Sequence, residues 1–495
     1  MAKSEIKLQY SGLIIFAAKI LSVATGLIFQ FMLARATTIK EYGVWFNIND
    51  VATYFALLAS VLPFWTMRFV IRRKEGAVKT GALANLLIAA IATAIYIPLV
   101  PIIMALLKVS GTYTIFYFIF ALQIIETYSI MVMEACLQAR MPQAVGYGLL
   151  IAQVSKIIFA YIFIVVLQQP LLGAAIGLMA GLAVQITYYF KLLLEEFRQK
   201  VRWSYLKEWL KGSVANIYNV MGNQLANYIF IMLFAYGGED ARSNYGAAAQ
   251  IANVIAYSSF LAFALYPKLL AERKSEDVTT SIKMVLMFAI PMAVGASVLA
   301  QSYVIMLNPI YADAAPVLVV LAVDGLVLTL SGLFGSVLYG VEKVDEKATI
   351  SFKALAKSKL FIAFSLPYFH SAITIPTAFY VLTTFAQNHP VQAALYVSII
   401  NLVARFTMFL ILYFVVRKMI KIHIPWRTIA KYVSAAVVMG TILFLIPHPT
   451  RISTTLGATA IGGLVYIGLL MAIDKETREL AISVWRETKG RLGLV

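Results

Sequence analysis

Seven charged side chains lie inside long apolar stretches of this chain: Lys19, Asp50, Glu126, Glu134, Lys156, Asp324 and Arg405. At the centre of a membrane helix each charge costs roughly 2.5–3.5 kcal/mol on insertion scales, so each needs a partner or a purpose. Neutralising pairs, such as Lys156 with Glu126, are one explanation. The other is chemistry, because an unpaired cation in a cavity attracts phosphate, which an arginine binds through two hydrogen bonds at once.

Two polar stripes occur in the same setting, and each has the spacing of one helix face. The first stripe is Lys19, Ser22, Gly26 and Gln30, and the second is Asn216, Asn219, Asn223 and Asn227. Residues three and four apart lie one above another on a helix. Polar groups facing lipid would stay unsatisfied, so the stripes face either other helices, as hydrogen-bonding glue, or a water-filled cavity. Four asparagines in register favour the cavity.

These patterns define the candidate functional residues. The predicted substrate-binding residues of the cavity are Lys19, Gln30, Asn219, Asn223, Asn227, Arg405 and Lys156, and the candidates for ion coupling are Asp50, Glu126 and Asp324. Lys19 and Arg405 have no obvious acidic partner nearby in the sequence, whereas Lys156 has Glu126. The single Cys136 and the four scattered histidines give no metal-ligand pattern. We therefore predict no metal site and no cofactor.

Helices in lipid must position these residues. The chain has 495 residues, of which 61% are hydrophobic and 13% charged, with a mean hydropathy of +0.84. Soluble domains average about 45–50% apolar and roughly 25% charged residues, so the composition excludes a soluble enzyme, a disordered chain and a nucleic-acid module. We predict an all-α integral membrane protein with about fourteen transmembrane helices. The first is Ser11–Leu33, the second Val44–Met67, the seventh Val214–Tyr236, the eighth Tyr245–Tyr266 and the last two Ile429–Ile446 and Leu456–Ile473.

The distribution of basic residues predicts the orientation. Most of the 41 lysines and arginines fall in loops on one side of the membrane when the N-terminus is counted as inside. Cytoplasmic loops retain Lys and Arg, so we expect a multi-pass protein of the cell membrane with both N- and C-termini cytoplasmic. The net charge of +18 is then a topology signal and not a sign of nucleic-acid binding.

An internal repeat predicts the domain organisation. Tyr42–Leu62 aligns without a gap with Tyr245–Leu265, and a Tyr-Gly pair begins both segments. Coincidence between two apolar helices is the alternative explanation. The repeat predicts two pseudo-symmetric six-helix bundles, 1–194 and 214–420, joined by a cytoplasmic amphipathic linker, 195–213, on the inner membrane face. Two additional transmembrane helices and a cytoplasmic tail follow in 421–495. Transporters with such repeats bind substrate between the halves and switch access by rocking them.

The residues around the first Tyr-Gly pair carry a family resemblance. Ser11–Tyr54, with Leu33-Ala34-Arg35 and then Glu41-Tyr42-Gly43, resembles the polysaccharide-biosynthesis flippases of the O-antigen type. These belong to the multidrug, oligosaccharidyl-lipid and polysaccharide exporter superfamily. The later segments Tyr245-Gly246, Tyr266-Pro267 and Leu338-Tyr339-Gly340 are also similar, whereas the spacer Thr37-Thr38-Ile39-Lys40 departs from the family's usual Leu-Gly-Pro.

The resemblance covers helices 1–12 and implies a substrate. It implies a flippase that moves polyprenyl-(di)phosphate-linked oligosaccharides from the inner to the outer leaflet, for cell-surface polysaccharide or glycan assembly. Alternating access is the expected mechanism. The expected partners are the lipid-linked oligosaccharide, membrane lipids and glycan-assembly enzymes, with no nucleic acid.

Two other functions stay open at this point. A cation-coupled multidrug or small-molecule exporter of the same superfamily should have an acidic rather than a basic cavity. A membrane-embedded glycosyltransferase or polymerase needs a sizeable loop that carries catalytic groups, and the predicted loops of this chain are short. We therefore expect a transporter and not an enzyme.

Overall fold

The computed structural model describes residues 8–262, 275–341 and 358–479, and every regular element in these ranges is a helix. The first eleven helices are α1 (Leu8–Ala36), α2 (Ile39–Phe55), α3 (Val61–Ile71), α4 (Ala77–Leu106), α5 (Thr114–Arg140), α6 (Pro142–Ala160), α7 (Pro170–Leu192), α8 (Leu194–Phe197), α9 (Trp203–Gly212), α10 (Val214–Ala226) and α11 (Tyr228–Ala256). The others are α12 (Ser275–Val298), α13 (Ala300–Leu307), α14 (Ala315–Val341), α15 (Lys359–Thr384), α16 (Pro390–Arg417), α17 (Trp426–Leu445) and α18 (Ile452–Ile473). The predicted all-helical fold is confirmed for these ranges.

Within the described ranges, 10 helices are long and apolar enough to cross a membrane. An eleventh span is formed if α2 and α3 are counted together across their 55° bend. The predicted first, seventh and eighth spans fall on α1, α10 and α11, which are not among these 11. A backbone break at Gly238, with φ of 84°, interrupts α11 between the seventh and eighth predictions. The multi-span membrane architecture is thus established, and the count of fourteen stays a prediction.

The two aligned repeat segments lose α-helical geometry at matching positions. Helix α2 ends at Phe55 and continues as a 3-10 helix, Leu57–Ser60. Helix α11 ends at Ala256 and continues as a 3-10 helix, Tyr257–Ala262. In the sequence alignment Tyr54 corresponds to Tyr257, so the two breaks fall within a few residues of each other. This shared irregularity supports the predicted repeat, while the division into two six-helix bundles stays a prediction.

The described helices pack as two compact units. The first comprises Met1–Gly246 with Val344–Val397, and the second comprises Ala247–Lys343 with Ser398–Val495. In the first unit, a stripe of three glycines on α7 lets its backbone touch that of α6. A Cβ on Gly177 or Gly181 would lie 3.0 or 2.7 Å from a backbone carbonyl oxygen of α6. Small residues allow such close approach between membrane helices, and the contact fixes the position of Lys156.

In the second unit, α12 packs against α14, α17 and α18. The hydroxyl of Tyr466 on α18 donates a hydrogen bond to the carbonyl oxygen of Met287 on α12, at 2.8 Å. Gly440 on α17 lies against Val294 of α12, where a Cβ would approach the valine side chain to 2.8 Å. The last two helices, predicted as Ile429–Ile446 and Leu456–Ile473, are therefore integral parts of this unit.

The linker before α10 is anchored on the first unit at the start of α4. Gly76 caps α4 with a positive φ of 73°, and its N–H donates to Oε1 of Gln199 at 2.6 Å. A Cβ on Gly76 would lie 2.1 Å from the carbonyl oxygen of Lys200. Further along, the N–H of Arg202 donates to Oγ1 of Thr80 at 2.9 Å. Only glycine satisfies both the left-handed backbone and this close approach.

We expect Gly76→Ala to destabilise the protein. Holding a non-glycine residue in the left-handed region costs roughly 1–3 kcal/mol, and the contact with Lys200 adds to this. Thermal unfolding of the detergent-solubilised protein should show a lower midpoint. Gly111→Ala is the matched control, since nothing lies within 4 Å of its added Cβ. Equal midpoints for the two variants would contradict the anchoring role of Gly76.

Candidate functional site

Asp50 on α2 and Arg242 on α11 form a buried bidentate ion pair. The Arg242 Nε–H donates to Oδ2 of Asp50 at 2.7 Å, and Nη2 donates to Oδ1 at 3.0 Å. The guanidinium carbon lies 4.6 Å from the ring centroid of Phe46 and 5.3 Å from that of Phe230. Two parallel hydrogen bonds and aromatic faces are the surroundings that arginine prefers when it leaves water. Asp50, a candidate for ion coupling, is thus neutralised by Arg242, which lies between the predicted seventh and eighth spans.

The Tyr-Gly pairs bring α2 and α11 together beside this ion pair. A Cβ on Gly43 would lie 2.0 Å from the carbonyl oxygen of Glu239, and one on Gly246 would lie 2.1 Å from the ring of Phe46. Both glycines therefore allow close approach at equivalent positions of the predicted repeat. The preceding Tyr42 is fully buried, and its hydroxyl donates to Oε1 of Gln30 at 2.8 Å. The motif that carries the family resemblance is, physically, a helix-crossing motif.

The asparagine stripe follows α10 to its end. Asn219 and Asn223 lie on the helix, and Asn227 lies in the break between α10 and α11. Asn223 and Asn227 are exposed, and Nδ2 of Asn223 donates to the carbonyl oxygen of Asn219, on its own helix, at 2.9 Å. The neighbouring Gln224 joins α10 to α2 instead, through a 3.0 Å hydrogen bond from Nε2 to Oγ1 of Thr53. Asn223 also donates to Oδ1 of Asn219 at 3.2 Å, so two members of the stripe are joined to each other along the helix.

Lys156 on α6 lies over an aromatic ring. Its Nζ is 5.1 Å from the ring centroid of Phe29 on α1, and Nζ has no carboxylate within 4.0 Å among the described residues. Glu126 on α5 is 5% exposed, and its Oε2 has no hydrogen-bond partner in the same ranges. The neutralising pair considered from the sequence is therefore not formed. The side chain of Lys19 lies outside the part of the chain whose side chains are described.

Arg405 on α16 contacts Asp324 on α14, within the second unit. Nη1 of Arg405 donates to Oδ2 of Asp324, which is 4% exposed. The structure thus brings together a predicted phosphate-binding cation and a predicted ion-coupling acid. The contact engages one nitrogen of the guanidinium group, and the Arg405 side chain is 23% exposed. Sequence reasoning found both residues but not their pairing.

Solved structures of membrane transporters share this fold. A structure described as "Lipid II flippase MurJ, inward closed conformation" superposes with a TM-score of 0.66 at 15% identity, covering 94% of this chain and 99% of that chain. An inward-facing multidrug resistance transporter of the MATE family, in the MOP superfamily, superposes with a TM-score of 0.59 at 14% identity, covering 82% and 98%. Its outward-facing counterpart gives 0.52 at 15% identity, covering 84% and 96%.

Comparisons of the sequence find no match, whereas comparison of the fold does. No protein-family model matches this chain, and no curated protein matches it. At identities of 14–15% the structural likeness establishes the fold alone. That fold is the one which the resemblance to the exporter superfamily implies, and the expectation is confirmed at this level.

Proposed function

We propose that this protein is a flippase that moves polyprenyl-(di)phosphate-linked oligosaccharides from the inner to the outer leaflet of the cell membrane by alternating access. The observation that carries the proposal is the fold shared with a lipid II flippase over 94% of this chain. Cell-surface polysaccharide or glycan assembly is the corresponding process. Membrane lipids and glycan-assembly enzymes are the proposed partners, and the role is transport rather than catalysis.

The chemistry of the head group determines what the cavity must supply. An unpaired anion pays a desolvation cost of many kcal/mol in hydrocarbon, so a diphosphate needs a polar, cationic path. Lys156 offers an ammonium group without a carboxylate partner in the described residues, and Lys19 is proposed as a further cation on sequence grounds alone. Arg405 would bind phosphate through the guanidinium nitrogens that Asp324 leaves free.

Neutral groups complete the proposed lining. Gln30 and the stripe of Asn219, Asn223 and Asn227 supply amides, which both donate and accept hydrogen bonds. Sugar hydroxyls have the same dual character, so this set suits the oligosaccharide rather than the phosphates. The polyprenyl chain would remain in lipid while the head group passes.

Alternating access requires a contact between helices that closes one side of the cavity and that breaks when this side opens. We propose that the crossing of α2 and α11, with Gly43, Gly246 and the Asp50–Arg242 pair, closes the outer side in this conformation. Outward opening would then break this ion pair. The bend between α2 and α3 is the proposed hinge, because the 3-10 segment Leu57–Ser60 already lacks regular α-helical hydrogen bonds.

A cation-coupled multidrug exporter is the second candidate. Two MATE transporter structures share the fold. Glu126 supports this alternative, since it is a buried acid whose Oε2 has no partner in the described residues, whereas Asp50 and Asp324 are both neutralised by arginines. Glu126 is accordingly the proposed coupling group in either transporter.

Proteoliposomes test the proposed substrate. We expect the reconstituted protein to make a polyprenyl-diphosphate oligosaccharide accessible to an impermeant glycosidase on the opposite side. Lys156→Gln should slow the appearance of accessible oligosaccharide at least tenfold, because it removes the unpaired cation. Lys418→Gln, which replaces an exposed lysine, should leave the rate unchanged. Fluorescent cationic drugs added to the same vesicles test the alternative. Drug transport without glycolipid movement would contradict the flippase.

Cysteine labelling tests the proposed topology. In a Cys136→Ala background, we expect Asn388→Cys to react with an impermeant maleimide in intact cells, and Lys74→Cys to react only after permeabilisation. Both positions are exposed, so the membrane alone determines their reactivity. The reversed pattern would contradict cytoplasmic termini.

A further inference from the structure

Helix α9 presents three different faces. Its first face packs on protein: Trp209 is wholly buried, with its ring centroid 5.4 Å from that of Phe69 on α3. Tyr205, one turn earlier, donates from its hydroxyl to the carbonyl oxygen of Glu75 at 3.3 Å. Together with the backbone hydrogen bond from Arg202 to Thr80, these contacts hold the helix in a fixed orientation on the first unit.

The second face is apolar and uncovered. Trp203 and Leu210, which are seven residues apart and therefore share a face, are 48% and 50% exposed. The third face is basic: Lys207 and Lys211, four residues apart, are exposed beside the apolar pair. We call these four residues the α9 surface. A rigidly held helix thus displays a tryptophan and a leucine next to two lysines.

The first turn of α9 is attached to the start of a membrane span. The linker crosses α4 at Gly76, and the candidate span begins at the next residue, Ala77. The turn that precedes it carries Arg72, Arg73 and Lys74, which are all exposed. Tyr205 contacts Glu75, the residue that follows this basic turn, so the first turn of α9 lies next to a second basic segment.

We propose that the α9 surface binds anionic phospholipid head groups of the inner leaflet. Tryptophan prefers the boundary between head groups and acyl chains, and lysine beside it extends its ammonium to lipid phosphates. Charge complementarity and attachment to the N-terminal end of α4 favour lipid over a protein partner. The site holds the first unit at a fixed depth in an anionic membrane. It is independent of what the protein transports.

Tryptophan quenching by brominated lipids tests the contact itself. The full-length protein is reconstituted in bilayers that contain brominated phosphatidylglycerol, and its fluorescence is compared with that of Trp203→Phe. We expect a quenched component that is lost in the variant, whereas the other tryptophans, including the exposed Trp426 and the buried Trp209, contribute equally to both. Equal quenching of the two proteins would show that Trp203 does not reach lipid, as it would if a protein partner covered it, and would overturn the proposal.

The lysines test the preference for anionic lipid. In mixed bilayers of phosphatidylglycerol and phosphatidylcholine, Trp203 should be quenched more strongly when the phosphatidylglycerol is brominated than when the phosphatidylcholine is. Each basic residue near an anionic surface strengthens binding roughly fivefold, so Lys207→Gln with Lys211→Gln should largely remove this preference. Lys418→Gln with Lys421→Gln removes two exposed lysines elsewhere and should leave it intact. An unchanged preference in the first variant, or an equal loss in both, would overturn the proposal.

Discussion

Neutralising either Asp50 or Arg242 alone should cost most of the folded, active protein, and neutralising both should recover much of it. Removing one partner leaves the other as an uncompensated buried charge, which destabilises proteins by about 3–5 kcal/mol. Asp50→Asn with Arg242→Gln removes both charges and leaves an amide at each position. We expect less than a tenth of the normal amount of folded protein for each single variant.

Yield of monodisperse protein and thermal unfolding provide the measurement for these variants. Asp313→Asn is the control, because it removes an exposed carboxylate without breaking a described ion pair. If the single variants and the double variant lost stability additively, Asp50 and Arg242 would act independently and the pair would not be the stabilising unit. Transport by the double variant then tests the proposed closure, since a junction without the ion pair should open more readily.

Neutralising both Arg405 and Asp324 should restore folding but not transport, unlike the double substitution of Asp50 and Arg242. Each single variant, Arg405→Gln or Asp324→Asn, is expected to lose about 3–5 kcal/mol of stability, for the same reason. The double variant should regain folded protein, because no unpaired charge remains. Its glycolipid transport should stay at least tenfold below normal if the guanidinium also binds phosphate.

Measurement of both quantities in one preparation separates the two roles of Arg405. Glycolipid flipping per folded molecule reports phosphate binding, and the unfolding midpoint reports the ion pair. A double variant with full transport would make the contact with Asp324 purely structural. It would leave Lys156, which has no carboxylate partner in the described residues, as the main candidate for the phosphate.

Hydropathy predicted where helices occur because burial in lipid is a local property of the chain. The predicted Ile429–Ile446 corresponds closely to α17, Trp426–Leu445. The second span was predicted as one helix, Val44–Met67, but is divided between α2 and α3 by a 55° bend. The carbonyl oxygen of Phe55, near the bend, accepts a hydrogen bond from Tyr128 on another helix, at 3.1 Å. Such a tertiary compensation leaves no trace in local hydropathy.

The candidate site was predictable in its members but not in its pairings. Asp50, Asp324 and Arg405 stand out because a charge in an apolar stretch is visible in the sequence. Arg242, whose partner lies 192 residues away, falls between the predicted seventh and eighth spans and was therefore not among the intramembrane charges. The recurrence of the Tyr-Gly pair was the available signal that α2 and α11 meet. It did not predict which side chains face each other there.

The glycine stripe of α7 has a consequence for biogenesis. Gly181 lies 3.1 Å, measured from an added Cβ, from the Cβ of Lys156. Only the residues 167–169 separate the π-helical end of α6 from α7. The nascent chain can therefore leave the translocon as a helical hairpin, with the lysine stem already shielded by its neighbour. A chain that ended between these two helices would instead leave the stem of Lys156 uncovered, with the full cost of a charge inside the membrane.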